Sequence, residues 1–191
     1  MVMRMSIGGT RIARRGELTV ALAAVAAGAV VAVALGVYGR EHTPTGKAIT
    51  TFGFDSLTHM KVALATAAGV LALVQLLTAL RLYGRLGSGT VSRRIGVVHR
   101  SSGAAAVIIS LPVAYHCLWS LGYQDYSNRV MLHSLAGCAF YGAFVTKVIT
   151  LHSRRTPGWL LPLAGALVFT LLVIVVLTSA VWYFQADTSS Y

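Results

Sequence analysis

Four histidines stand inside long apolar stretches of this chain, His99 and His116 on one stretch and His133 and His152 on the next. An imidazole held at membrane depth can ligate a metal or haem iron, relay a proton, or bond one helix to another. Which of these applies depends on which rings the folded chain lets meet, and so on the segments that carry them.

Those segments are five. Apolar residues make up 56% of the 191-residue chain and charged residues 11%, and runs of about 20 apolar residues match the hydrocarbon thickness a helix must cross. The spans read Leu18 to Tyr38, Leu57 to Leu80, Val97 to Leu121, Val130 to Leu151 and Trp159 to Phe184. Between them lie turn formers and charges: Thr43-Pro44-Thr45-Gly46, Gly84 to Arg94, Gln124-Asp125 with Asn128-Arg129, and Arg154 to Gly158. Lipid offers no partner to an unpaired backbone group, so each span should be an α-helix. The fold class is therefore all-α, an integral membrane bundle of five transmembrane helices. A basic segment over 1–17 precedes the helical domain over 18–184, and a short tail covers 185–191. Small residues four apart, Ala24 with Gly28 and Ala106 with Ser110, predict close helix contacts.

The formal charge of +11 is distributed by loop. Arg4, Arg11, Arg14 and Arg15 precede the first span, Arg81, Arg85, Arg93 and Arg94 follow the second, and Arg154 and Arg155 follow the fourth. The alternate side has mainly Arg40, Lys47, Lys61 and Arg129. The positive-inside rule then places the N-terminus in the cytoplasm and the C-terminus outside, in a cell inner or plasma membrane. These cations flank spans and form no patch with interleaved aromatics, which argues against nucleic acid. The first span exceeds the apolar core of about 7 to 15 residues usual in a signal peptide and reads as an uncleaved anchor. Trp119, Tyr123, Trp159, Trp182 and Tyr183 fall near span ends, as interfacial belt residues do. Cys117 and Cys138 lack metal-knuckle spacing and read as small buried residues.

Depth groups the histidines. With the third helix centred near Leu111 and the fourth near Phe140, His116 and His133 stand roughly 8 to 10 Å above the midplane, and His99 and His152 roughly 18 Å below it. Two facing imidazoles at one level can hold a low-spin haem between two helices, so His116 with His133 is the candidate outer ligand pair and His99 with His152 the inner one. Gly103 and Gly137 each follow a histidine, His99 and His133, by four residues. On the same helix face, a missing side chain there would let a flat macrocycle approach. Arg100, Arg129 and Arg155 are placed to pair with haem propionates.

Helical phase opposes part of this scheme. His99 and His116 differ by about 100° around a straight helix, as do His133 and His152. Pro112 can re-aim the third helix, whereas the fourth has no such breaker, and His152 beside Arg154 and Arg155 also reads as an interfacial histidine. His59 is an alternative outer ligand, and His42 is expected to be solvated in its loop. Lys147, Gln75 and Thr78 are the other polar residues at depth; a quinone head group or proton path near Lys147, Gln75 and His99 is the lesser reading, because Gln and Lys near helix ends are readily placed structurally, Lys147 by snorkelling to the inner face.

The set His99, His116, His133 and His152 on a small helical bundle resembles the transmembrane b-type cytochromes, the cytochrome b-561-like di-haem bundles. That resemblance implies haem b near one or both membrane faces and electron transfer within or across the membrane. It departs at the fifth helix, which has no histidine. Leu111 to Trp119 and His133 to Lys147 also look like an uncharacterised family of actinobacterial membrane proteins, which implies no activity. The leading expectation is a b-type haem electron carrier, at most an oxidoreductase subunit, working with quinone and a redox partner protein. A cofactor-free scaffold whose histidines only join helices is the alternative, and a small transporter or proton conductor the third; paired acidic residues in the spans, which such a protein would favour, are lacking.

Overall fold

The structure is a computed structural model that describes residues 7–188, with side-chain surroundings for 15–186. Arg4, the side chains of Arg11 and Arg14, and the end of the tail lie outside the described residues. The helices are α1 (Ile7–Glu41), α2 (Leu57–Leu82), α3 (Arg93–His116), α4 (Asn128–His152), α5 (Leu160–Val176) and the short α6 (Trp182–Thr188). Five helical segments are long and apolar enough to cross a membrane: Arg15–Glu41, Leu57–Leu82, Arg93–Leu121, Asn128–His152 and Leu160–Ala186. Two of them contain a π-helical turn, Cys117–Leu121 after α3 and Leu177–Val181 between α5 and α6. The expected spans are all present, with ends within a few residues of the apolar runs, because polar residues extend most of the helices beyond them. α1 runs back through the basic segment to Ile7.

Serines start three of the helices. Ser56 accepts from the His59 N–H at 3.1 Å, Ser92 from Arg94 at 3.3 Å and Ser127 from Val130 at 3.3 Å. Each satisfies an N–H that the helix itself leaves unpaired.

The helices pack in a ring: α3 on α2, α2 on α5, α5 on α4, α4 on α1, with α1 meeting the π turn of α3. The distribution of side-chain size is inverted relative to a water-soluble core. Ala24, Ala68, Ala72, Ala106, Ala136 and Ala164 are buried, while Leu22, Val30, Leu73, Ile108 and Leu163 are exposed. Helices in lipid associate through close contact of small residues, and their large apolar side chains face the acyl chains. The tightest crossing is α1 on α4. A Cβ on Gly28 would run into the Gly142 carbonyl and the Thr146 hydroxyl, and one on Gly142 would meet the Gly28 carbonyl. Thr146 donates to the Ala24 carbonyl at 3.2 Å across the same contact. Ala24 and Gly28 thus make the close approach their spacing predicts.

At one end the α1–α2 connection is strapped over α3. The N–H groups of Thr45 and Gly46 donate to the carbonyls of Trp119 and Ser120 at 3.3 and 3.0 Å, and Ser120 Oγ donates to the Lys47 carbonyl at 2.7 Å. Inside the ring, Ala68, Ala72, Phe140 and Leu172 form an apolar plug. It lies between a large cavity at the His133 end and a small one toward His99.

Candidate functional site

The large cavity, of about 350 Å³, lies among α2, α3, α4 and α5 and both π turns. Its volume falls within the range of small-ligand and cofactor sites, which are mostly apolar with a few convergent polar groups. Here those groups include Lys61, Ser110, Arg129, His133, Tyr141 and Thr178.

α4 presents a polar stripe to this space. Arg129, His133, Gly137 and Tyr141 are each four residues apart and all line it, as one helix face must. Arg129 donates to the Thr178 carbonyl at 2.7 Å, and its guanidinium lies 3.7 Å from the centre of the Trp182 ring. His133 Nδ1 is 3.0 Å from Thr178 Oγ1. That hydroxyl is 2.7 Å from the Ile174 carbonyl, to which it donates. Its lone pair is then the acceptor for a proton on His133 Nδ1, and the His133 ring lines the cavity. A Cβ on Gly137 would meet nothing within 4 Å.

The π turn of α5 makes this arrangement possible. A π turn breaks the regular α-helical hydrogen-bond pattern and re-aims the side chains within it. Thr178 sits in that turn and takes Arg129 at its carbonyl and His133 at its hydroxyl. The other π turn, after α3, puts Cys117, Leu118 and Leu121 on the cavity wall. At the base of the cavity Tyr141 Oη and Ser110 Oγ lie 2.8 Å apart and tie α3 to α4.

His116 takes no part in the site. It is 2% exposed, its Nδ1 bonds the Pro112 carbonyl at 2.8 Å, and its Nε2 accepts from the Ile49 N–H at 3.4 Å. Both ring nitrogens are committed to backbone, and the ring anchors the α1–α2 strap. The expected pairing of His116 with His133 is not made, because Cys117, the next residue, occupies the inward position on α3. His59 is exposed and meets Tyr183 edge-on at 6.4 Å. His42 is not solvated: it stacks between Tyr38 and Trp119, at 5.0 and 4.8 Å, with Nε2 buried.

The other end is filled. His99 Nδ1 bonds Thr78 Oγ1 at 2.8 Å, and Gln75 donates to the His99 carbonyl and, at 2.8 Å, to Ser102 Oγ. A Cβ on Gly103 would lie 3.0 Å from the Gln75 amide oxygen, so the space expected for a macrocycle holds a side chain. His152 is exposed and bonds its own helix at the Val148 carbonyl, 2.9 Å away, and Arg100 and Arg155 are also exposed. Gln75 and Lys147 share a cavity of only about 60 Å³. Among the described residues, no group of three or more His, Cys, Asp or Glu side chains converges as metal ligands would.

Spacing and depth in the sequence do not single out Thr178, Tyr141, Ser110 or Lys61 for the site. A signal for the first is present: Thr178-Ser179 interrupts an otherwise unbroken apolar run from Leu171 to Phe184. Lys61 enters the sequence reading only through topology, and Ser110 only as a small packing residue.

Fold and cavity together define an all-α, multi-pass bundle with a histidine-bearing chamber inside. The chain belongs to a family of unknown function, DUF6529, whose profile matches residues 20–190. No curated protein and no solved structure matches it.

Proposed function

We propose that the protein is a membrane-embedded binding protein whose lipid-soluble ligand sits in the cavity at the His133 end, with His133 as its polar anchor. The observation that carries this reading is the His133 ring: Thr178 holds its Nδ1, and the ring lines a mostly apolar space large enough for a small ring system. Lys61 and Arg129 add positive charge beside it, and among the described residues no carboxylate lines the wall. The ligand accordingly has an electron-rich polar head and an apolar body.

A narrower form of the electron-carrier reading rests on Gly137, whose empty flank one turn below His133 suits a flat macrocycle. In that form one haem b is held by His133 alone among the four candidate histidines, and the redox partners are those of a single-site carrier. The inner pair His99 and His152 supplies no second site, because His99 is bonded between helices and His152 is exposed on its own helix.

Purification in mild detergent tests both. Lipid extraction followed by mass spectrometry is expected to yield a ligand in stoichiometric amount, lost from His133→Ala. A Soret band sharpened by dithionite assigns that ligand as haem; its absence after expression with ample haem removes the electron-carrier form. Extracts from wild type and His133→Ala that match would overturn the site itself.

A further inference from the structure

The charges on the cavity wall restrict its ligand further, taking the binding role above as given. Of the residues that line it, Lys61 and Arg129 are cations and none is acidic. Neither cation has an ion pair among the described residues, where the one such pair joins Arg40 to Asp125 at 3.4 Å. Asp125 is the acidic residue nearest Arg129 in sequence, and it turns to α1 instead. Arg129 commits one N–H to the Thr178 carbonyl and has four more to offer. Lys61 is held by no hydrogen bond among the described residues.

The helix ends add to this positive charge. α2 and α4 both begin at the cavity, where Thr58 and Val130 line it beside the two cations. The N-terminus of a helix carries roughly half a positive charge, which an acidic side chain in the first turn offsets. Neither first turn here holds one: α4 has Arg129 there instead, and Lys61 lies just past the first turn of α2. Side-chain charge and helix dipole therefore sum at one end of the cavity. A charge beside an apolar space costs free energy unless it is paired, and an anionic head group supplies the missing partner. The hydroxyls of Thr58, Tyr126 and Tyr183 on the same wall suit an acceptor-rich head as well.

Away from that end the wall is largely apolar. Along α4 the lining runs from Arg129 to Tyr141, about 18 Å at the rise of an α-helix, and reaches the plug residues Phe140 and Leu172. The space therefore has one charged end and one apolar end. We infer that the cavity selects an anionic amphiphile, an alkyl chain that ends in phosphate or carboxylate, over its neutral counterpart. Lys61 and Arg129 bind the head, and the open space beside Gly137 takes the chain. The selection is one of affinity, with no bond made or broken in the ligand.

The test measures binding of dodecyl phosphate and of dodecanol, which share one chain, to the full-length protein in phosphatidylcholine nanodiscs, with empty nanodiscs subtracted. The phosphate is expected to bind at least about tenfold more tightly, about 1.4 kcal/mol. Lys61→Gln should cut that preference about threefold, and Lys61→Gln with Arg129→Gln should bring the two probes to within about twofold. Arg129→Lys keeps the charge and should retain most of the preference. Lys61 has no bond within the protein to lose, so Lys61→Gln decides the matter even where Arg129→Gln fails to fold. Equal affinity of the two probes in wild type, or a preference unmoved by Lys61→Gln, would overturn the inference while the binding site stands. Displacement of bound dodecyl phosphate by phosphatidylglycerol supports it with a membrane lipid as the source, and displacement by dodecanoate supports it with a free fatty acid. Displacement by inorganic phosphate at the same concentration overturns it, since the chain then contributes nothing. Absence of saturable binding by either probe, together with identical extracts from wild type and His133→Ala, is the separate failure of the binding role.

Discussion

The two ends of the bundle carry the same short pattern, a histidine followed one turn later by glycine, and use it in opposite ways. At one end Gly137 faces open space and His133, bonded to Thr178, lines a cavity. At the other, the Gln75 side chain fills the place beside Gly103 and bonds to the backbone of His99. The glycine in the first case leaves open space, and in the second makes room for a neighbouring helix. A sequence pattern of this kind states that space exists and does not state what fills it. The neighbouring helix decides, and here the difference is one amide on α2.

That contrast can be broken experimentally, most forcibly at Gly103. Gly103→Leu must displace Gln75 from a packed contact and should cost about 3 kcal/mol, seen as lost yield and a lower melting temperature in detergent, while Gly137→Leu should fold normally. A pair of variants equally damaged would show that both ends are packed alike. His133→Ala comes next: ligand retention should fall by about tenfold to a hundredfold with thermal stability of the ligand-free protein little changed, measured by extraction and by melting. Gln75→Leu removes bonds to His99 and Ser102 and should lower stability by about 1 kcal/mol without affecting the ligand, since interhelical hydrogen bonds in membranes are individually modest. His152→Ala should change stability by less than about 0.5 kcal/mol and leave the ligand untouched, because its ring is exposed and bonds only its own helix. A large loss of ligand in that last variant would restore the inner site that the structure leaves unformed.

Much of the architecture can be read from the chain because it follows from length and hydropathy. The five spans and their breaks need only the thickness of lipid and the obligation to pair backbone groups. The contact at Ala24 and Gly28 is visible as two small residues on one face. Depth along the helix is also legible: a fixed rise per residue sets His116 and His133 toward the same end. Rotation about the axis is not. His116 and Cys117 are neighbours in sequence and about 100° apart around the helix, so the bundle's choice of Cys117 for the interior turns His116 to the strap. That choice depends on how α3 leans against α2 and on the π turn beyond it, neither of which leaves a trace in periodicity. The role of Thr178 is hidden for a similar reason. A lone threonine in an apolar helix usually bonds its own backbone, as this one does, and only the fold reveals that its remaining lone pair receives a histidine.

The two π turns bear on how this chamber is maintained through mutation. Each widens the helical turn by the equivalent of one residue, so each is in effect a single-residue insertion retained in a helix. Deleting one residue from Leu177–Val181 would let that stretch relax to α geometry and swing everything after it, Trp182 included, by about 100°. Arg129 would then lose the ring it lies against, with no side chain on α4 altered. The chamber is thus encoded in residue count as well as residue type, and a reading frame shortened by one codon would close what no point substitution in α4 needs to touch.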